Sequence, residues 1–239
     1  MILLLSCIGG PRVTPYSPPT TGAVSDEFLQ KGELELRTEG GYIEPLVRAS
    51  GKPYAYMNQP YGPRWVHGAG LGLTERVDLR LDAGPRWQGP GYGGEVGVLL
   101  YQRERLDLGA TAGTWLTIAQ DIYTSPEGPL GGQISYAYGY WSWAPSLGHR
   151  GTWRMDEFFH LHWRVRGSRA FTFGWYGLSV EEREQQWWLE HAASLSLGPE
   201  TGWVRVGVGV SQLTTVRAPA WLPGVNLGLT FRVPPEDQR

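Results

Sequence analysis

The chain has 239 residues and a formal charge of −2, with 21 Lys and Arg against 23 Asp and Glu. That balance excludes the strongly basic surface of a nucleic-acid binder, so no nucleic-acid partner is expected. With 34 Gly, 12 Trp and 12 Tyr, the composition suits many turns and closely packed strands. No run approaches the roughly 18 apolar residues of a membrane-spanning helix. A β-barrel needs none, because it places its lipid-facing residues at alternate positions.

The single cysteine, Cys7, leaves no internal disulfide. It closes Leu4-Leu5-Ser6-Cys7 after an apolar start and resembles the lipobox of bacterial lipoproteins, in which the thiol is acylated after signal cleavage. The resemblance implies a lipid anchor at Cys7. The basic start is missing and the apolar stretch is short, so an idle thiol is the other reading. Pro11, Pro15, Pro18 and Pro19 among Gly, Ser and Thr predict an extended linker, and Val24 to Lys31 reads as a short helical turn. Residues 1–31 are therefore taken as leader and tether, 32–233 as one β-domain, and 234–239 as a polar tail.

From Glu33 onward the hydrophobic period is two, the period of a strand between unlike environments. Leu34 and Leu36 alternate with Glu33, Glu35 and Arg37, and Gly40-Gly41 separates this run from Tyr42–Arg48. Strands follow at Trp65–Leu73, Arg76–Ala83, Glu95–Leu100 and Leu106–Gly113. Later ones are Gln133–Trp143, Trp153–Val165, Ala170–Leu178, Trp187–Leu197, Trp203–Gln212 and Val225–Val233. Short polar turns join pairs at Thr74-Glu75, Gln102–Arg105, Arg166–Arg169 and Gly198–Gly202. Longer connections are read at Ser50–Gly62, Ala119–Leu130, Val180–Gln186 and Leu213–Gly224, while Ala144–Gly151 fits neither kind. The fold class is all-β: a single antiparallel transmembrane β-barrel of about 12 strands, with 10 as the fallback, since bacterial single-chain barrels use even numbers.

The residues on the two parities decide between lipid and water. Val204, Val206, Val208 and Val210 alternate with Arg205, Gly207, Gly209 and Ser211. A soluble sandwich would show Lys, Glu and Thr on its wet face, whereas this wet parity is Gly, Ser, Thr and scattered charges, as in a confined lumen. Trp65, Trp87, Trp115, Trp141, Trp143, Trp153, Trp187, Trp188 and Trp203 lie near strand ends and suggest interfacial girdles. The stretch Gly68-Ala69-Gly70-Leu71-Gly72-Leu73-Thr74-Glu75-Arg76-Val77-Asp78-Leu79 resembles a hairpin common in Gram-negative outer-membrane β-barrel proteins. That resemblance, with the strand rhythm from Glu33 onward, implies fold and an outer-membrane location, not an activity. One departure is that such barrels end on a strand-terminal aromatic, whereas here Phe231 is followed by the tail from Pro234 to Arg239.

His160, His162, Arg164 and Arg166 share the wet parity. Two His at i and i+2 point the same way and could ligate a metal, but no third ligand is supplied locally. They read instead as a cationic ladder lining the lumen, paired with Asp78, Asp82, Glu95 and Asp107. Arg80, Arg205 and Arg232 are lumen-lining by the same parity. The ladder would favour anions in an open pore, or form a salt-bridged plug in a packed lumen. Glu190, His191 and Ser194 suggest a comparison with outer-membrane lipid hydrolases, yet His191 and Ser194 have opposite parity and cannot meet on a regular strand. Glu181, Glu182, Arg183 and Glu184 read as a solvated loop, and Tyr54, Tyr56, Tyr61 and Trp221 as loop aromatics able to form a contact surface.

The expected function is non-enzymatic: a narrow pore or a structural subunit of an envelope assembly, with membrane lipid and other envelope proteins as partners. No cofactor or metal is expected. A lipid-modifying enzyme using His191 or His160/His162, and a soluble periplasmic barrel binding an apolar ligand, are the alternatives.

Overall fold

Alternation of β-branched or aliphatic residues with small or charged ones permits an extended chain with one greasy and one polar face, and every such segment among the described residues is a strand. The computed structural model describes residues 26–43, 62–86, 89–125, 134–176, 179–199, 204–215 and 221–235. They form β1 (Leu34–Ile43), β2 (Gly62–Thr74), β3 (Val77–Arg86), β4 (Gly89–Arg103), β5 (Leu106–Ser125), β6 (Ile134–Arg154), β7 (Phe159–Tyr176), β8 (Ser179–Leu197), β9 (Val204–Thr215) and β10 (Trp221–Val233). Each strand pairs antiparallel with its neighbours in sequence, and β1 pairs with β10, so the sheet closes on itself. Closure runs from Leu34↔Val233 through Leu36↔Phe231 to Ile43↔Gly224, and it leaves no open sheet edge. No described helix is long and apolar enough to cross a membrane, which says nothing of strands.

The barrel has the fallback number of strands, ten, and not twelve. Two expected breaks are continuous strand. Gly40 and Gly41 carry β1 onward, paired with Trp65 and Arg64 on one side and with Leu227 and Asn226 on the other. Arg166 to Arg169 also runs straight through β7, each residue paired on β8. The unassigned Ala144–Gly151 is the turn-side half of β6, and the chain turns instead at residues 155–158. Ala119–Ser125 and Val180–Gln186 are strand as well, not loop. Propensity alone misplaces these breaks because glycine and charge mark a turn only when the ladder has no use for them; here cross-strand partners satisfy the backbone.

The outer face is apolar. Val204, Val206, Val208 and Val210 point outward, 44% to 61% exposed, as do Leu227 at 61%, Leu100 at 65% and Leu147 at 72%. A continuous belt of this kind far exceeds the apolar patches that water-soluble monomers tolerate. It is flanked by outward aromatics. Trp153, Phe158, Phe159 and Tyr101 stand near the end with the short turns, and Trp65, Tyr92, Trp143 and Trp187 stand further along. Trp143 stacks on Phe171 with ring centroids 5.5 Å apart, and Arg169 lies over both Phe171 and Trp187. Two indoles expected in the girdles are elsewhere: Trp115 and Trp188 point inward and are buried. Adjacent residues on a strand face opposite ways, so Trp187 and Trp188 cannot share a girdle.

The predicted helical turn at Val24–Lys31 is not helical over its described part. Asp26 to Gln30 is irregular and lies inside the barrel, with Asp26, Glu27, Phe28 and Leu29 all buried. Four residues of the stretch expected to be tether, Asp26 to Leu29, are therefore buried within the barrel. Gly32, at a φ of 79°, turns the chain from the lumen into β1, a conformation that glycine adopts without penalty. Glu33 N–H donates to Gln30 O at 2.9 Å, and Gly32 N–H donates to Gly72 O at 2.9 Å. Cys7, the Pro-rich linker, Tyr54, Tyr56, Tyr61, Trp87 and Trp203 lie outside the described residues.

Candidate functional site: a charge-packed lumen

The inward parity of the strands brings ionisable side chains into a space that cannot hydrate them individually. Buried charges are then tolerated only if paired and hydrogen-bonded. Arg80, Arg150 and Arg164 are each at most 2% exposed, as are His160, His162, Glu27 and Glu35. Two carboxylates of the N-terminal segment stand at the centre of their network. Glu27 receives Arg205 Nη1 at 2.5 Å and is also paired with Arg232 and His160. Asp26 is paired with Arg164, and Arg80 Nη1 lies 3.7 Å from it.

The wall supplies the other partners. Arg150 donates to Asp78 at 2.5 Å and stands 3.3 Å from Glu95. Arg164 reaches Glu95 at 3.5 Å, and Arg232 donates from Nε to Glu35 at 3.0 Å. The backbone of the segment is held too. Arg80 Nη2 donates to Glu27 O at 2.5 Å, and Leu29 N–H donates to Asp78 at 3.2 Å. The Phe28 ring lies under the Arg150 guanidinium, 4.2 Å from Cζ to the centroid, a cation–π contact in a desolvated site.

Glycine makes the room. A Cβ at Gly72 would strike the Gln30 carbonyl, and one at Gly109 would strike the Phe28 ring and Val98 O. A Cβ at Gly70 would meet Leu29, and one at Gly97 would collide with Arg150 and Asp78. The glycine-rich wet parity thus forms one bare wall against which the segment and its arginine partner fit.

Of the ten residues expected to line the lumen, nine are buried and Asp82 is half-buried. The structure gathers Asp78, Arg80, Glu95, His160, Arg164, Arg205 and Arg232 around the segment. Asp82 and Asp107 stand apart from it. Asp82 forms a bidentate pair with Arg37, with Nη2 to Oδ2 at 2.6 Å, and Asp107 is bound to Arg154 at 2.5 Å. Of the four carboxylates expected to face the ladder, only Glu95 does so; Arg166 pairs with Glu190 instead. His162 is held at Nδ1 by Thr152, 3.1 Å, and at Nε2 by Ser196, 2.7 Å. Both ring nitrogens are committed, and no group of three or more His, Cys, Asp or Glu among the described residues is placed for a metal.

Sequence reasoning missed Asp26, Glu27 and Phe28, which carry no periodicity, and Arg150, which lies in the unassigned part of β6. The available signal was the bare parity itself: Gly70, Gly72, Gly97 and Gly109 call for something else to fill a lumen of this width. Glu190 and Ser194 point inward and His191 outward, so those three residues do not assemble. Ser196 and His162 do touch, but both are buried and the residue behind the imidazole is Thr152, not a carboxylate. A serine nucleophile needs an accessible hydroxyl and an orienting acid.

A closed antiparallel sheet with an apolar belt outside and charges inside is the architecture of a transmembrane β-barrel. No family model and no curated protein matches the sequence. Among solved structures, the chain is similar to the outer membrane protease OmpT of Escherichia coli, with 12% identity over 84% of this chain and 94% of that one, TM-score 0.45. It is also similar to an outer membrane channel of Pseudomonas putida F1, 9% identical over 91% of this chain and 100% of that one, TM-score 0.42. The N-terminal β-barrel domain of Pseudomonas aeruginosa OprF is 12% identical over 85% of this chain and 100% of that domain, TM-score 0.39.

Proposed function

We propose that the protein is a structural barrel of a bacterial outer membrane whose lumen is closed in the resting state, and neither an open pore nor an enzyme. The observation that carries this reading is the seat of Asp26–Leu29 inside the lumen, at the centre of a five-arginine network. Lipid hydrocarbon is the partner of the outer belt, and other envelope proteins would meet the barrel at its rims. The end bearing the short turns and the start of β1 would face the periplasm, as in barrels with short periplasmic turns. An acyl group on Cys7, tested by fatty-acid labelling that disappears in Cys7→Ser, would tether the chain ahead of the segment.

The reading is tested in two stages. The protein should fractionate with the outer membrane and migrate differently on gels before and after heating, and it should be silent in planar bilayers. Release into the soluble fraction would sink the membrane assignment, and steady conductance would sink the closed state. Val206→Arg places a charge on the lipid face and should cost roughly 2–4 kcal/mol if it lies near the bilayer midplane. The checking measurement is the urea midpoint in lipid vesicles.

A further inference from the structure

One glycine of the outer face is left open by its own chain. Four strand glycines among the described residues point outward by parity: Gly40, Gly94, Gly151 and Gly167. Three are roofed by neighbours. A Cβ at Gly40 would strike the Trp65 ring, one at Gly151 would strike the Trp163 ring, and one at Gly94 would touch a Leu81 methyl at 3.4 Å. A Cβ at Gly167 would meet only Leu147 O, at 3.9 Å. Glycine weakens a strand interior and packs nothing, so it often marks a place where another backbone or a ligand comes close. Among the described residues, nothing requires glycine at 167.

The surroundings make Gly167 the floor of a hollow. Its partners across the ladder are Leu147 on β6 and Leu189 on β8, which stand about 10 Å apart on either side of it. Leu147 is 72% exposed, the most of any large apolar side chain among the described residues. In the next outward row toward the short turns, Val165 pairs with His149 and His191, both exposed. These imidazoles lie within the apolar belt, between Trp153 and Trp143 on β6 and between Leu197 and Trp187 on β8. By contrast, the outward positions from Val204 to Val210 on β9 and from Val225 to Phe231 on β10 are all Val, Leu or Phe. Hydrocarbon offers nothing to a ring nitrogen, and ionisable groups at such depth pair with one another or face protein or water.

We propose that this face of β6–β8 is where two copies of the chain meet in the membrane, with Gly167 at the twofold axis. The inference rests on the membrane reading of the outer belt. Two copies inserted in the same sense are related by an axis along the membrane normal, so each depth on one meets the same depth on the other. Hollow then meets hollow, and imidazole meets imidazole. Strands of such barrels tilt roughly 35–45°, so the facing rows cross. Each copy's Leu147 and Leu189 then drop beside those of the other instead of onto them. A small residue at the crossing lets the backbones approach, and close packing of that kind drives association where both surfaces start in lipid. A neutral imidazole carries one donor and one acceptor, so these histidines complement a second copy of themselves.

The test uses the full chain in lipid vesicles. In a Cys7→Ser background, Gly167→Cys supplies the only thiol, at a site where its own chain has room for a Cβ. Oxidation should give a disulfide-linked dimer, whereas Val208→Cys on the aliphatic face should stay monomeric. In mild detergent the wild type should have the mass of two chains. Gly167→Leu fills the hollow and should halve that mass while the barrel still shifts on gels with heating. His149→Leu/His191→Leu should weaken association about threefold, the size of a hydrogen bond made in lipid. If Gly167→Cys does not insert, the wild-type mass and its change in Gly167→Leu decide. A wild type that is monomeric in vesicles, equal cross-linking at the two cysteine positions, or association undiminished in the histidine variant overturns the interface, and the hollow is then a seat for an acyl chain. Release of the wild type into the soluble fraction would instead overturn the membrane reading itself.

Discussion

The turn-side half of the lumen and the half beyond it are filled in opposite ways. In the first, arginines and carboxylates interlock around a segment that is not part of the sheet. In the second, Trp115 and Trp188 pack with Ala144, Ala170, Thr117 and Ser142, all buried, and the charges there, Arg37 with Asp82 and Arg166 with Glu190, pair wall to wall with no insert between them. A Cβ at Gly93 would meet the Trp115 ring. The difference teaches that a ten-stranded barrel is wider than its own side chains fill unless they are large. One solution is bulk, and the other is a charged insert that brings its own counterions. The two should fail differently, because desolvated charge is unforgiving of a missing partner whereas apolar packing degrades with lost volume.

The largest effect is expected at the centre of the charged half. Glu27→Ala removes the shared partner of Arg205, Arg232 and His160, and stranding buried charge in this way costs about 3–5 kcal/mol. Urea unfolding in vesicles measures it, and a loss below 1 kcal/mol, on the order of a surface ion pair, would break the contrast by showing that water already hydrates this network. Trp115→Ala should come next, at about 3 kcal/mol for the cavity it opens. Trp115→Phe should recover much of that loss, since shape and not charge is at stake; equal losses in the two variants would argue for a polar role of the indole. A milder change is Ser196→Ala, which takes the hydroxyl from His162 Nε2 at about 1 kcal/mol. Because it is a neutral contact, its cost should not vary with salt.

The smallest effect lies outside the lumen, in the turn between β6 and β7. Asp156 accepts the Phe158 and Phe159 amides, both at 2.7 Å. These bonds hold its pKa below the ordinary value of 3.8. A carboxyl with a lowered folded pKa stabilises the fold above its unfolded value, and that contribution fades as pH falls below 3.8 toward the lowered value. Asp156→Asn should leave a small decrement at neutral pH that disappears in acid. A decrement of the same size at both pH values would remove the charge from the explanation.

Much of the outer face was legible in the residues. The Val204–Val210 stripe, the Leu227–Phe231 stripe and the inward parity of Arg205 and Arg232 follow from a period of two, because a strand has only two faces. Turns at Thr74-Glu75 and Gln102–Arg105 were legible for the same local reason. Strand number was not, since Gly40-Gly41 and Arg166–Arg169 have turn composition and only their partners across the ladder keep them extended.

The sequence by itself determined which residues face in and which face out, and with that the class of fold. Tertiary structure decided who meets whom. Parity placed Asp78, Glu95 and Arg164 inside, but not that Arg150 would join two of them, nor that Asp26 and Glu27, 138 and 178 residues before Arg164 and Arg205, would pair with the wall. Facing direction is a property of one strand, fixed by the pleat. Charge pairing across a lumen depends on closure and register of the whole sheet, and on an aperiodic segment whose place is set only by the space the glycines leave.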